Sequence, residues 1–473
     1  MKRLAYILII CALSVVNCQL STAQDVQRLS EREIIGSARY VGMGGAMTAI
    51  GGDPSAILDN PAGLGLYRRN EIAITIDETI DQTTHTDVRY ARSYFAVPHI
   101  SVVWAFGNPA KQSGMIYNNI FFSVNRLANF NRDIVVKGAG MGMAQTIALL
   151  TEGMSVADMP SDQPTSMQWN NDSIGWLSLL GKGAHLIEHA GNKQWKPTVD
   201  MTDGSLSITE SGHHDQYTIA WAGNINNQWY VGVNVNIPTI SYTKRTSHYE
   251  TNRIHSADLQ SLYHVSGVGF NGSVGLIYRP MQALRIGASF QTPTLMSMSV
   301  QVDGSIASNI NGNKYDVAPP NGYLFQTEML SPLRSSVSVA GQLGAIGMLA
   351  LQYDYAHDAQ MEDVHTLRVG AEVQAWRGVF INTGYVYESS FLKEDPIWML
   401  GYNDVRMDMD YRYTAASQYA SAGIGYRSNI VTAQLAYQYR WQTIHQYATE
   451  MQMLPFDVGT HTHRIVATLA WRF

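Results

Sequence analysis

Apolar and polar residues alternate one for one in several separated stretches of this chain, and that period of two predicts β-strands with one apolar and one polar face. In Trp229–Ile237, the residues Trp229, Val231, Val233, Val235 and Ile237 oppose Gly232, Asn234 and Asn236. In Met348–Tyr355, Leu349, Leu351, Tyr353 and Tyr355 oppose Gln352 and Asp354. Ile430–Trp441 sets Val431, Ala433, Leu435, Tyr437, Tyr439 and Trp441 against Thr432, Gln434, Gln438 and Arg440. Ile72, Ile74 and Ile76 alternate with Thr75 and Asp77, and the closing stretch opposes Ile465, Ala467, Leu469, Trp471 and Phe473 to Arg464, Thr468 and Arg472. Several of these runs reach the roughly ten residues that a tilted strand needs to cross the hydrocarbon core of a bilayer. Aromatics at their ends (Trp229, Tyr353, Tyr355, Tyr437, Tyr439, Trp441) suit interfacial girdles.

Between the runs, tight turns alternate with long polar stretches. Asn226-Asn227, Pro280-Met281-Gln282, Gly344-Ala345-Ile346, Arg377-Gly378 and Ser428-Asn429 are turn sequences. The long connections are about Asn129–Gln216, Thr239–His264, Asp303–Leu333, Glu388–Ser417 and Gln442–His461. Outer-membrane barrels have this asymmetry, with tight periplasmic turns and long external loops. A β-sandwich rarely strings so many strands of this length in one undivided chain. The pattern predicts an all-β transmembrane fold, an antiparallel outer-membrane β-barrel of about 14 strands from about Glu71 to Phe473. An even count puts both barrel ends on the periplasmic side. A closing strand that stops on an aromatic looks like the terminus read by the barrel-assembly machinery, so Trp471 and Phe473 are the expected assembly signal.

Composition sharpens this. Charged residues are 15% of the chain, against about 25% in ordinary soluble domains. Past the amino terminus, however, no segment has the unbroken apolar run of a transmembrane helix. A barrel accounts for both, since its apolar residues are dispersed one position in two. Lys2 and Arg3, the apolar run Leu4–Val16 and the small residues Ser21-Thr22-Ala23 predict a signal peptide over 1–23. Val15-Val16-Asn17 is a poor match to the small residues that a lipid-attachment site wants before Cys18. Cleavage removes Lys2 and Arg3, taking the formal charge from -6 by two cations to -8, and it removes both cysteines, Cys11 and Cys18. That excludes disulfides, cysteine–zinc sites and cysteine nucleophiles, and mild acidity gives no reason to expect nucleic acid. The expected location is the outer membrane of a Gram-negative bacterium.

Residues 24–70, ahead of the first predicted strand, are rich in glycine and small side chains. Gly42, Gly44, Gly45, Gly51 and Gly52 allow tight turns and close backbone approach. Asn60-Pro61 fixes an extended residue before a rigid turn, Ala62 follows, and Gly63 lets the chain reverse. A compact, low-charge segment of this kind fits inside a lumen as a plug. It is not a nucleotide loop, because it lacks the Lys and Ser/Thr at P-loop spacing and any βαβ context. The stretch Ala38-Arg39-Tyr40-Val41-Gly42-Met43-Gly44-Gly45-Ala46, then Asp53-Pro54-Ser55-Ala56, then Asn60-Pro61-Ala62-Gly63-Leu64, closely resembles the hatch of the FadL/TodX family of outer-membrane transporters. The resemblance covers about Gly36–Leu66. It implies a monomeric barrel that passes hydrophobic compounds such as long-chain fatty acids by passive capture, hatch movement and an inward kink in an early strand that opens a lateral exit.

The long external loop at about 129–216 carries two apolar clusters with helical spacing, one with Leu149 and Leu150, the other with Trp176, Leu177 and Leu180. An external loop has no reason to be apolar unless it packs on itself or on a ligand, so these five residues are the candidate capture site. No Gly-x-Ser-x-Gly element or singular Ser/His spacing occurs, so neither catalytic residues nor an enzyme are expected. His213-His214, and His461 with His463, lack a third ligand at a recognisable spacing. Asp404, Asp408 and Asp410 lack an EF-hand pattern and read as a solvated loop. No metal and no cofactor are expected. The expected partners are outer-membrane lipid and lipopolysaccharide, hydrophobic small molecules and the assembly machinery. A secretion-system adaptor and a general porin are the alternative functions.

Overall fold

The computed structural model describes residues 23–86, 88–108, 113–154, 164, 166–169, 174–344, 346–358, 362–390, 405–452 and 454–473; the predicted signal peptide before Ala23 lies outside them. Long strands start where the alternation does. They are β1 (Glu71–His85), β2 (Val88–Gly107), β3 (Met115–Asn129), β4 (Asp203–Ile225), β5 (Trp229–Thr251), β6 (Ser256–Met281) and β7 (Leu284–Gln291). The second half holds β8 (Leu333–Leu343), β9 (Gly347–His357), β10 (Val364–Trp376), β11 (Val379–Glu388), β12 (Ser417–Arg427), β13 (Val431–Tyr447) and β14 (Phe456–Arg472). Each pairs antiparallel with the next, and β14 returns to β1 from Glu71↔Arg472 to Thr84↔Gly459, closing a 14-stranded barrel. Closure leaves no edge unpaired in the way an open sheet would. Among the described residues no helix is long and apolar enough to cross a membrane.

The faces follow the sequence pattern. On β5 Val233, Val235 and Ile237 point outward and exposed, while Asn234 and Asn236 are buried in the lumen; on β14 Ile465 and Leu469 point outward and Arg464 and Thr468 inward. The turns sit at one end. Asn226 and Asn227 both have positive φ (56° and 54°), the mirror-image turn that matches the twist of a hairpin.

The barrel is lopsided. β4, β5 and β6 run for 23, 23 and 26 residues, whereas β7 has 8 and β10 has 13. The expected loops at 239–264 and 442–461 are therefore mostly strand, and β4 already begins at Asp203, which shortens the loop expected to reach Gln216. Arg132–Ala139 also pairs with β4, and Leu295–Ile310 with β6. The reason lies in an inversion of polarity along the tall wall. Up to Ile237 the outward residues of β5 are apolar; beyond it Thr239, Ser241 and Thr243 face out, and Ile240 and Tyr242 are buried inside. The backbone ladder ignores this switch, so pairing continues after the membrane-type pattern has ended.

Candidate functional site

The amino-terminal segment lies in the lumen, tied to strands around the wall. Ser37 caps the short helix Ala38–Gly42, accepting from the Tyr40 amide, and its hydroxyl donates to Asp53 at 2.8 Å. Gly44 and Gly45 (φ 62° and 70°) turn the chain out of that helix, a conformation that side chains with a Cβ rarely adopt. Asn60 accepts from the Ala62 amide at 3.0 Å and so caps the 3₁₀ turn Pro61–Leu66, with Pro61 at the first position where a missing N–H costs nothing. The Asn60 amide donates to the carbonyls of Thr48 (2.8 Å) and of Leu276 on β6 (3.2 Å). Arg39 makes a two-pronged ion pair with Glu372 on β10 at 2.6 and 2.9 Å, and the Thr48 amide donates to Gln352 on β9. The Ala38 amide donates to Thr468 on β14, and Asn119 on β3 donates to the carbonyls of Leu64 and Tyr67.

Glycines in the wall make this seat possible. A Cβ on Gly287 would stand 2.5 Å from the Thr48 carbonyl oxygen, and one on Gly370 2.5 Å from that of Met43. Gly232 faces Pro61, Gly275 faces Asn60 and Gly384 faces Gly44, each without room for a methyl group. Sequence reasoning named the glycines of the segment and missed these partners. Each occupies an inward position of a strand, where the alternation marks it only as small or polar.

The wall is interrupted between β2 and β3. Their pairing runs from Gly107↔Tyr117 to His99↔Asn125 and stops, although β2 continues to Val88 along β1. Pro98, which has no N–H to donate, stands at that stop, and β1–β2 shifts register beside it. Past Asn125, β3 goes on pairing with β4 as far as Asn129↔His213, with a register shift between Arg126 and Ala128. Arg132 pairs with Asp81 on the inner face of β1 at 3.1 Å, and Thr83 donates to the Asp133 carbonyl at 2.6 Å. Across the gap, the Leu127 carbonyl accepts from the Glu33 amide at 2.8 Å. The amino-terminal segment thus donates to a β3 carbonyl just past the point where the β2–β3 pairing ends.

Above the segment the lumen is charged. Arg440 pairs with Glu31 (2.9 Å) and Glu33 (3.7 Å), and Arg28 with Glu210 (2.9 Å). Burial pushes the Glu31 carboxyl up, but Arg28 and Arg440 outweigh it and hold it at about 2. Arg32 and Arg334 differ: among the described residues they bond to neutral oxygens, those of Gln291 and of the Ser30 carbonyl, each at 2.9 Å. Both border small cavities of about 40 and 70 Å³ together with Glu388. His214, expected to be a polar loop residue, is instead buried in β4 with neither ring nitrogen bonded.

The end of the barrel away from the tight turns, the external end on the expectation above, is closed by an apolar cluster. Leu150, Trp176, Leu177 and Leu180 are buried in it, and Leu149 lies half-buried outside it. The helices Met143–Leu150 and Trp176–Gly183 press these side chains onto the inverted inner face of the tall wall. Eight methionines join them, including Met296 and Met298 beyond β7 and Met407 and Met409 from the loop before β12. That loop is not solvated as expected. Asp408 and Asp410 both pair with Lys244 at 2.9 Å, and Arg406 binds Asp408, because the cluster buries the carboxylates and they take cations in place of water; Asp404 lies outside the described residues. His461 and His463 are separate, each bonded to a tyrosine on β13 at 2.7 Å. Among the described residues no group of three or more His, Cys, Asp or Glu is placed to hold a metal ion.

No family model matches the chain, and no curated protein does. Solved structures do. A FadL homologue of Pseudomonas aeruginosa superposes with a TM-score of 0.57 at 11% identity, over 94% of this chain and all of that one. The toluene transporter TbuX of Ralstonia pickettii gives 0.53 at 13%, over 94% and 99% of the two chains. The toluene transporter TodX of Pseudomonas putida gives 0.51 at 11%, again over 94% and 99%. The likeness extends over nearly the full length of each chain, and this chain has the FadL/TodX-family fold.

Proposed function

We propose that this protein is an outer-membrane channel for passive uptake of hydrophobic compounds, with long-chain fatty acids as its substrates. The observation that carries this reading is the broken β2–β3 ladder, filled from inside by the Glu33 amide. A gap in a lipid-facing wall leaves backbone groups that hydrocarbon cannot satisfy, so something must cap it when it is closed. The amino-terminal segment is the cap, acting as a hatch, and its withdrawal from Leu127 opens a lateral route into the bilayer. Capture begins at the external cluster, where burial of an alkyl chain gains roughly 25 cal/mol per Å². Methionines, flexible and polarisable, re-pack around a guest more easily than branched side chains. Arg32, Arg334 and His214 then meet a carboxylate; a neutral hydrocarbon such as toluene would leave them unused.

The test is a reversible lock. Glu33→Cys with Leu127→Cys joins two backbones already in hydrogen-bond contact, and the chain's own cysteines, Cys11 and Cys18, lie in the predicted signal peptide. Oxidation should abolish uptake of labelled oleate in cells of matched surface expression, and reduction should restore it. Uptake that persists through the oxidised pair sinks the gate. Uptake no different from cells lacking the protein moves the reading to a partner-binding adaptor, and conductance of small polar solutes moves it to a porin.

A further inference from the structure

The tight-turn end of the lumen opens into a cavity of about 290 Å³, lined among others by Arg39, Arg68, Arg279, Arg285, Tyr230 and the Gly51-Gly52 turn. Among the described residues no carboxylate lines it. Arg39 is neutralised by Glu372. Among the described residues, the other three guanidiniums meet neutral oxygens only. Arg285 donates to the Ile50 carbonyl at 2.7 Å, Arg279 to that of Gln282 at 3.4 Å and Arg68 to the Asn227 side chain at 3.5 Å.

Arginines at a membrane interface commonly snorkel outward to lipid phosphates. These do not face that way. Arg285 shares its strand face with Gly287, which meets the segment at Thr48, and Arg279 shares its face with Ile277, which is fully buried. Both therefore sit on the luminal side. Three cations gathered in one concave site repel one another, and the partial burial of Arg279 and Arg285 strips water that would screen them. Guanidinium forks match the oxygens of phosphate two at a time.

We propose that this mouth is an oxyanion site, built by Arg68, Arg279 and Arg285 beneath the Gly51-Gly52 turn, that binds a phosphate group. The ligand is a soluble phosphate compound or the headgroup of a phospholipid, since both present the same oxygens. The site stands independently of the uptake reading, because it uses none of the residues at the β2–β3 gap or in the external cluster.

The test uses the full mature protein in dodecyl maltoside, titrated calorimetrically with inorganic phosphate and separately with lysophosphatidylglycerol. Binding of either that weakens at least tenfold in Arg279→Gln/Arg285→Gln, and weakens as salt rises, supports the site. Phosphate binding assigns the soluble source; lysophosphatidylglycerol binding alone assigns the headgroup. Heat-modifiable migration checks that the double variant remains a folded barrel, and Arg68→Gln, an exposed change outside the strands, gives a second readout if it does not. Absence of binding in both titrations, or binding unchanged in folded variants, overturns the proposal.

Discussion

The amino-terminal segment in the lumen and the apolar cluster at the far end of the barrel are built from opposite chemistries. The amino-terminal segment is held by directional contacts: the Arg39–Glu372 fork, the Asn60 amide, carbonyls pressed onto wall glycines. The external cluster is held by shape-tolerant burial, with Trp176, Leu177, Leu180 and many methionines packed on one wall. Hydrogen bonds and backbone-on-glycine contacts are made in one position and lost abruptly when that position changes. Dispersion and burial decline gradually, so apolar groups can exchange neighbours. On the uptake mechanism proposed above, the amino-terminal segment should thus act as a two-position element, and the external cluster as a deformable surface into which a solute can dissolve.

The comparison breaks hardest at Leu177. Leu177→Asp places a carboxylate where the side chain is 3% exposed, and burying an unpaired charge costs several kcal/mol. The external cluster should open, and affinity for fatty acid should fall tenfold or more, while heat-modifiable migration stays normal. Unchanged binding would show that this cluster is packing alone. Next in size is Gly287→Val, whose Cβ meets the Thr48 carbonyl. Overpacking of this kind costs about 1–3 kcal/mol, and the loss should appear as faster amide exchange confined to residues 37–66. Exchange that rises equally in the external helices would mean that the segment and the cluster are one unit. The smallest effect belongs to Met298→Leu, a swap of similar volume that should cost under about 1.5 kcal/mol. By stiffening the cluster, it should nevertheless narrow the range of chain lengths taken up. An equal loss for every chain length would argue against a deformable surface.

Where the fold was legible, one physical condition held throughout. Lipid on one side and a polar lumen on the other force alternation, so Trp229–Ile237, Ile430–Trp441 and the closing strand appear in the sequence as they do in space. Beyond Ile237 the solvent outside is water and the inside is a dry cluster, so the phase inverts and the same strand reads as a polar loop. His214 was misplaced for that reason, as was the start of β4. In the segment, Asn60-Pro61-Ala62-Gly63 was legible as a rigid turn because its capping is local: three residues contain the donor, the acceptor and the proline.

Local chemistry and the lipid boundary were thus determined by the sequence alone: strand faces, tight turns, the strand count and the segment's own turns. Tertiary structure alone decided what meets across the lumen. Arg39 finds Glu372, and Asn60 finds the carbonyl beside Gly275, over separations of more than two hundred residues. Barrel closure creates those meetings, and no periodicity along the chain encodes them. The break between β2 and β3 belongs with them: the pairing ends at His99↔Asn125 beside Pro98, and only the closed wall brings the Glu33 amide to the Leu127 carbonyl.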